Sequence, residues 1–212
     1  MKALWSEEDF SGRLNGPGAV TSVDDFCERY FSPSSEEWVV ELRRRVAWFV
    51  ERTIGPRVLD AGCGSGVLAV CLAKKPEVEA VVALDLCQRA LDATRANLRY
   101  LTKAEEQKVG IRLAWAEHLP YCAGYFNTVI LGEVLEHVLD DTAAVAEAHR
   151  VLRANGRLLV SVPLTRALDQ DHIRLFTPFV LSRLLAPHFI VQEEVRIRNW
   201  WVVSALRPSE GA

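Results

Sequence analysis

The sequence lacks several features that would assign it to familiar classes of protein. It has no uninterrupted apolar run of about 20 residues, the length that a membrane-spanning helix requires. Lysine and arginine (25) do not outnumber the acids (28), so no strong basic field favours nucleic acid. The five cysteines include no C-x-x-C pair, and their odd number predicts reduced thiols. With no apolar secretion signal at the N-terminus, these features predict a cytoplasmic protein without a membrane span.

The chain does contain enough apolar sequence for one folded unit. Half of its 212 residues are hydrophobic, which suits a single sizeable core. Residues 1–54 start with a polar stretch containing glycine and proline and continue into helical patterns, including an apolar stripe over 36–53. We predict that 1–54 form an N-terminal arm and helices acting as a lid, and that 55–212 form the globular domain.

Short apolar strands alternate with helical stretches over this domain. The predicted strands are 57–61, 80–84, 111–115, 128–131, 157–162, 189–197 and 200–206, and the predicted helices are 67–74, 88–101, 142–152 and 178–185. The alternation predicts a parallel, doubly wound sheet, and the short turn between the last two strands makes that pair antiparallel. The predicted fold is therefore α/β: a Rossmann-like, seven-stranded, mostly parallel sheet with an antiparallel C-terminal strand pair and helices on both faces.

A glycine-rich turn follows the first predicted strand. Gly62, Gly64 and Gly66 occupy alternate positions, and Asp60 lies two residues before the first of them. Glycine lets the backbone take positive φ and approach a ligand closely. The helix that follows offers unpaired N–H groups and a partial positive charge. Strand, turn and helix together predict a ligand cradle beyond the carboxyl ends of the strands.

The spacing of the three glycines differs from the pattern that binds dinucleotides. The dinucleotide fingerprint is G-x-G-x-x-G, whereas the third glycine here comes one residue early. The stretch 58–66 (VLDAGCGSG) resembles motif I of the class I S-adenosylmethionine (SAM) methyltransferases, D-x-G-x-G-x-G. The resemblance implies SAM as cofactor and S-adenosylhomocysteine as product. It also implies that the methionine and ribose end is held by Asp60, Gly62, Cys63, Gly64 and Gly66, with Cys63 as a small packing residue.

Two further segments resemble the adenosine-binding part of this family. Asp85 ends the second predicted strand and matches an acid whose carboxylate can accept hydrogen bonds from both ribose hydroxyls, with Leu86 beside it. The alternative is that Asp85 caps the next helix. The segment 114–120 (AWAEHLP) resembles G-D-A-x-x-L-P, but Trp115 replaces the acid. We expect Ala116 and Glu117 near the adenine, while Trp115 can stack on the purine; otherwise Glu117 is a solvated loop charge.

The segment 131–138 (LGEVLEHV) resembles one found after the fourth strand in methyltransferases of ubiquinone and menaquinone biosynthesis. The resemblance implies that the backbone of Leu131, Gly132 and Glu133 lies beside the methionine amine and the sulfonium.

Glu133, Glu136 and His137 are spaced so that one helical turn would place them on one face. Three roles stay open: His137 as a general base, a divalent-metal set with His172 as fourth ligand, or a structural set. Carboxylates suit Mg²⁺ whereas imidazole favours Zn²⁺ or Mn²⁺, so the set is not decisive and we do not favour a metal.

A second segment, 169–178 (DQDHIRLFTP), resembles an H-x-R-x-F-[ST]-P loop that lies over the active site of the same relatives. It makes His172 and Arg174 candidate substrate contacts. The catalytic candidates are His137, Glu133 and His172. The predicted function is SAM-dependent methyl transfer to an oxygen, nitrogen or carbon of a small molecule, by a monomer or homodimer. The alternatives are an RNA- or protein-modifying methyltransferase and a non-catalytic regulatory subunit of the same fold.

Overall fold

The computed structural model describes residues 36–164 and 172–209. The predicted N-terminal arm therefore lies outside the described residues, apart from its last helix. The helices are α1 (Glu36–Arg52), α2 (Val67–Ala73), α3 (Gln88–Asn97), α4 (Lys103–Glu106), α5 (Asp141–Val151) and α6 (Pro178–Leu185). The strands are β1 (Arg57–Ala61), β2 (Ala80–Asp85), β3 (Val109–Leu113), β4 (Phe126–Gly132), β5 (Leu152–Pro163), β6 (Ile190–Ile197) and β7 (Trp200–Leu206).

The seven strands form one sheet in the order β3-β2-β1-β4-β5-β7-β6. Strands β1 to β5 pair in parallel, and β7 runs antiparallel to both β5 and β6. This confirms the predicted fold. The strand order reverses between β1 and β4, and in such sheets ligands bind in the crevice beyond the carboxyl ends at that point.

Apolar side chains cover both faces of the sheet, so the core has two layers. One layer includes Phe126, Leu158 and Leu181 and packs with α5 and α6. The other includes Leu72 and Leu91 and packs with α1, α2 and α3. Helices therefore lie on both faces, and α1 reaches the side of the sheet on which the glycine turn opens.

The largest differences between the structure and the sequence prediction concern strands β3 and β5. Strand β3 is centred two residues before the predicted 111–115, because its pairing with β2 starts at Val109 opposite Val81. Trp115 instead forms an isolated bridge with His118 in the loop that follows. Strand β5 begins at Leu152, directly after α5, instead of at residue 157.

Three cysteines among the described residues, Cys63, Cys71 and Cys122, are free thiols. Separately, none of the helices among the described residues has the length and apolarity to cross a bilayer.

We expect Phe126→Ala to lower the free energy of unfolding by about 3–5 kcal/mol, because it leaves a cavity in a closed core layer. Phe126 is 1% exposed and its ring meets those of Tyr121 and Tyr125 at 4.9 Å. Urea denaturation measures the loss. Phe179→Ala is the matched control, since Phe179 is 68% exposed and should change stability by less than about 0.5 kcal/mol. Equal losses in the two variants would contradict the described core.

Candidate active site

Three glycines shape the turn between β1 and α2. The φ angles at Gly62, Gly64 and Gly66 are 81°, 53° and 76°, a region that residues with a side chain rarely adopt. A Cβ on Gly62 would stand 2.3 Å from Val134 Cγ2, and one on Gly66 would stand 2.6 Å from Thr94 Cγ2. Both conformation and close packing therefore require glycine at these two positions.

Asp85 joins this turn to the end of β2. The N–H of Gly64 donates to Asp85 Oδ2 at 2.9 Å, and the N–H of Cys87 donates to Oδ1 at 2.9 Å. Burial raises the pKa of Asp85, while these backbone donors act in the opposite direction. The carboxylate thus anchors both the turn and the start of α3. Each oxygen keeps lone-pair capacity for a ligand hydroxyl, so anchoring and ribose binding are compatible.

A cleft opens between α1, the glycine turn and the end of β4. Its volume is ≈ 690 Å³, a value that includes space open to solvent. The sequence-predicted residues that it brings together are Asp60, Gly62, Cys63, Gly132 and Glu133, and Arg45 and Ser161 add further polar groups to its wall.

Asp60 places a buried carboxylate in this cleft. The residue is 3% exposed, and its Oδ2 has no hydrogen-bond partner within the described residues. Burial, together with the negative charge of Asp85, raises the pKa of Asp60 to about 7. A group of positive charge bound beside it would stabilise the ionised form.

Arg45 of α1 is a functional candidate that the sequence analysis missed. It is 3% exposed, lines the same cleft, and forms an ion pair with Glu133. Its Nε has no hydrogen-bond partner within the described part of the chain, so it has a donor to offer to an anion. One signal was present in the sequence: Arg45 is a cation between Leu42 and Phe49 on the apolar stripe of the helix.

Glu133 lies at the end of β4 with a φ of 58°. Its carboxylate pairs with Arg45 and accepts a hydrogen bond from Trp200 Nε1, and its own N–H donates to Ser161 O at 3.0 Å. The Arg45 guanidinium also stacks on the Trp200 ring at 4.3 Å. This left-handed backbone is incompatible with the single helical turn that the spacing predicted for Glu133, Glu136 and His137.

The residues that do come together are Glu136, His137 and His172. One potential ligand atom from each lies within 4.8 Å of the others, and the two imidazole rings have centroids 4.9 Å apart. Glu136 is fully buried and His172 is 9% exposed. The two catalytic histidine candidates are therefore adjacent in space, although 34 positions separate them in sequence.

Arg174 has a structural role in this arrangement. Its guanidinium donates to the carbonyls of Leu135, Val138 and Leu139. It therefore fastens the segment after β5 to the loop after β4. This use of its donors argues against the substrate contact that the sequence suggested for Arg174.

The segment predicted to hold adenine lies next to Asp85. The N–H of Ala114 donates to Asp85 O at 3.1 Å, and Ala116 is buried. Glu117 accepts a hydrogen bond from the N–H of Leu139 at 3.2 Å, and burial raises the pKa of its carboxyl. Glu117 is thus packed against the protein, which argues against its alternative interpretation as a solvated loop charge.

Comparison with known proteins gives a consistent result. Residues 59–160 match the family described as "Methyltransferase domain". The chain is 32% identical over 148 residues to 27-O-demethylrifamycin SV methyltransferase of Amycolatopsis mediterranei, covering 68% of this chain and 53% of the relative. It is 31% identical over 147 residues to the ubiquinone biosynthesis O-methyltransferase of Thiobacillus denitrificans, covering 67% and 61%.

A solved structure resembles the fold over almost its full length. It is the N-methyltransferase NodS of Bradyrhizobium japonicum in complex with S-adenosylhomocysteine, with a TM-score of 0.70, 15% identity, and coverage of 88% of this chain and 99% of that one. This likeness concerns the fold alone. The chain spans about half the length of the curated relatives that it matches.

We expect Gly62→Ala to lower the free energy of unfolding by at least about 1 kcal/mol, the cost of the left-handed conformation for a residue with a Cβ. The contact with Val134 should add to that loss. Gly110→Ala is the control, because its Cβ would have 3.9 Å to the nearest described atom and its φ is not left-handed. Chemical denaturation compares the two, and a Gly62→Ala variant as stable as the control would contradict the turn geometry.

Proposed function

We propose that this chain, which carries the domain of the class I SAM-dependent methyltransferases, transfers a methyl group from SAM to a small-molecule acceptor. When bound, SAM supplies an electrophilic methyl group on its sulfonium and leaves as S-adenosylhomocysteine. The observation that carries the proposal is the presence of two buried groups of opposite charge, Asp60 and Arg45, in one cleft beside the glycine turn.

These two groups fit the methionine end of SAM, which bears an ammonium and a carboxylate. Asp60 Oδ2 can accept from the ammonium, and Arg45 Nε can donate to the carboxylate. Both atoms are buried without a hydrogen-bond partner within the described residues. Leaving a buried polar group unpaired costs about 1–3 kcal/mol. A ligand that satisfies both atoms would therefore gain binding free energy from each.

We assign the adenosine part of SAM to the carboxyl end of β2, next to the glycine turn. Asp85 would accept from the ribose hydroxyls, beside Leu86. Because Ala114 is hydrogen-bonded to Asp85, the loop that contains Ala116 and Glu117 lies next to the same strand end and would bind the adenine. Gly132 and Glu133 line the cleft beside Asp60, so their backbone would border the sulfonium side.

The acceptor proposed is a hydroxyl group of a small molecule. Two relatives at about one-third identity are named for O-methylation or for a 27-O-demethyl substrate. His137, with His172 beside it, is proposed to take the hydroxyl proton. Positioning of the two reactants can supply about 7–11 kcal/mol of the barrier reduction. The cytoplasmic location and the monomeric or homodimeric state stay predictions.

We expect SAM and S-adenosylhomocysteine to bind with one site per chain by titration calorimetry. Asp85→Asn should weaken SAM about tenfold or more, since a hydrogen bond to a charged group is worth about 1.5–3 kcal/mol. Asp92→Asn is the control, because that side chain is 63% exposed and its contacts with Gln88 and Arg95 lie on the surface of its own helix. Absence of heat and of a thermal shift with wild-type protein at saturating SAM would overturn the proposal.

Asp60 predicts a pH dependence of cofactor binding. Because the pKa of Asp60 is about 7 in the free protein, its carboxyl becomes protonated as the pH falls through that value, and SAM affinity should fall with it. Affinity should also fall at high pH, where the amine of SAM loses its proton near its usual pKa of about 7.7–8.0. Calorimetry across this range should give a bell-shaped profile. Asp60→Asn should remove the acidic limb, and a profile unchanged in that variant would contradict the assignment.

The raised pKa of Asp60 also determines how the free energy of unfolding changes with pH in the absence of SAM. A carboxyl whose pKa is raised binds its proton more tightly in the folded than in the unfolded chain. The contribution of Asp60 to the free energy of unfolding therefore declines as the pH rises from its ordinary 3.8 to about 7. Asp60→Asn should reduce that decline in denaturation experiments, and an identical decline would assign it to other groups.

A further inference from the structure

Two charged side chains of α5 bind the backbone of the adenine loop (residues 114–121), the loop assigned to the base of the cofactor. We propose that Glu147 and Arg150 are positioning residues, which hold Ala116 and Glu117 where they recognise adenine. The inference rests on the proposed function, because it concerns the base of SAM.

The adenine loop contains a tight turn with both ends fixed. The N–H of His118 donates to Trp115 O at 3.2 Å, which closes the turn. Ala116 and Glu117 occupy its two central positions. Before the turn, the loop is hydrogen-bonded to the end of β2. After the turn, the chain continues into Leu119, whose side chain is buried in the core. The position of the turn therefore depends on the contacts that hold the backbone of Leu119.

Glu147 and Arg150 bind both backbone polar groups of Leu119. The N–H of Leu119 donates to Glu147 Oε2 at 2.7 Å, and Arg150 Nη2 donates to Leu119 O at 2.9 Å. Arg150 Nη1 also donates to Tyr121 O at 2.7 Å, and the N–H of Gly124 donates to Arg150 O at 2.9 Å. The segment that follows the turn is thus attached to α5 at three of its residues.

The two side chains also form a bidentate pair with each other. Arg150 Nε donates to Glu147 Oε1 at 2.6 Å, and Nη2 donates to Oε2 at 2.7 Å. Because the guanidinium is planar, this pairing fixes the direction of its remaining donors. Burial acts to raise the pKa of Glu147, but the hydrogen bonds from Arg150 and from the Leu119 N–H outweigh it and lower that pKa. The carboxylate therefore stays charged near neutral pH and keeps both partners.

The consequence for the cofactor follows from Glu117. Its Oε1 accepts from the N–H of Leu139 at 3.2 Å, whereas its Oε2 is buried without a hydrogen-bond partner within the described residues. The exocyclic amino group of adenine is a donor that would satisfy this oxygen, while hypoxanthine carries a carbonyl oxygen at that place. A site built to accept a hydrogen bond rejects an analogue that lacks the donor. Loss of Arg150 would displace the turn and weaken this discrimination.

Calorimetry on the full-length protein with two probes, S-adenosylhomocysteine and S-inosylhomocysteine, tests the proposal. We expect the wild type to prefer the adenine probe by about tenfold or more. Arg150→Gln should weaken S-adenosylhomocysteine by about tenfold and leave the inosine probe nearly unchanged. Arg150→Lys should restore part of the preference, since an ammonium can still reach one of the two carbonyls. Arg95→Gln is the matched control, because it removes an exposed pair of the same i, i+3 spacing on α3 and should leave both affinities unchanged.

Hydrogen exchange in the wild type adds a measurement that needs no variant and decides the question if neither Arg150 variant folds. The N–H of Leu119 should exchange slowly, because it donates to Glu147, and should slow further when S-adenosylhomocysteine binds. Exchange as fast as that of an unbonded amide would contradict the attachment to α5.

Three calorimetric results overturn the positioning role while the proposed function stands. The first is a wild type that binds both probes equally. The second is an Arg150→Gln variant with unchanged affinity for S-adenosylhomocysteine. The third is an equal loss of affinity for both probes in that variant, which indicates a structural effect without base recognition. A wild type that binds neither probe overturns the proposed function together with this inference.

Discussion

The carboxylate of Asp85 makes the hydrogen bonds on which the site depends. It accepts the N–H of Gly64 with one oxygen and that of Cys87 with the other, so one side chain fixes both the glycine turn and the start of α3. The carbonyl of Leu84 adds two bonds from the first residues of the turn. Because the ends of β1 and β2 are joined in this way, the carboxyl edge of the sheet offers one continuous cradle.

A buried ion pair forms one wall of the cleft beside the glycine turn. Arg45 on α1 pairs with Glu133 after β4, and both contact Trp200 at the start of β7. Three elements remote in sequence thus meet at one wall of the cleft. Removing one member of such a buried pair usually costs about 3–5 kcal/mol, because the remaining charge is left uncompensated. A ligand carboxylate at Arg45 would compete with Glu133 for the same guanidinium, so cofactor binding and the position of α1 would be coupled.

Much of the fold and of the cradle could be predicted because the signals are local. The alternation of strands and helices predicted the sheet. The glycine spacing predicted a turn with positive φ angles, which glycine adopts more readily than other residues. Arg45 could not be assigned in this way, since its role depends on which direction α1 takes across the sheet. The bounds of β3 were misplaced because the apolar residues of 111–115 continue into a loop, and pairing with β2 decides where the strand begins.

The loop after β4 shows why residue spacing alone did not predict how Glu133, Glu136 and His137 are arranged. A helical turn would have put Glu133, Glu136 and His137 on one face, but the φ of 58° at Glu133 is not that of a right-handed helix. Glu133 pairs with Arg45 in the cleft, while Glu136 and His137 lie beside His172. One left-handed residue therefore divides a short motif between two tasks. Because the two groups remain only three residues apart, a methyl donor on one side and an acceptor on the other would be held at neighbouring positions.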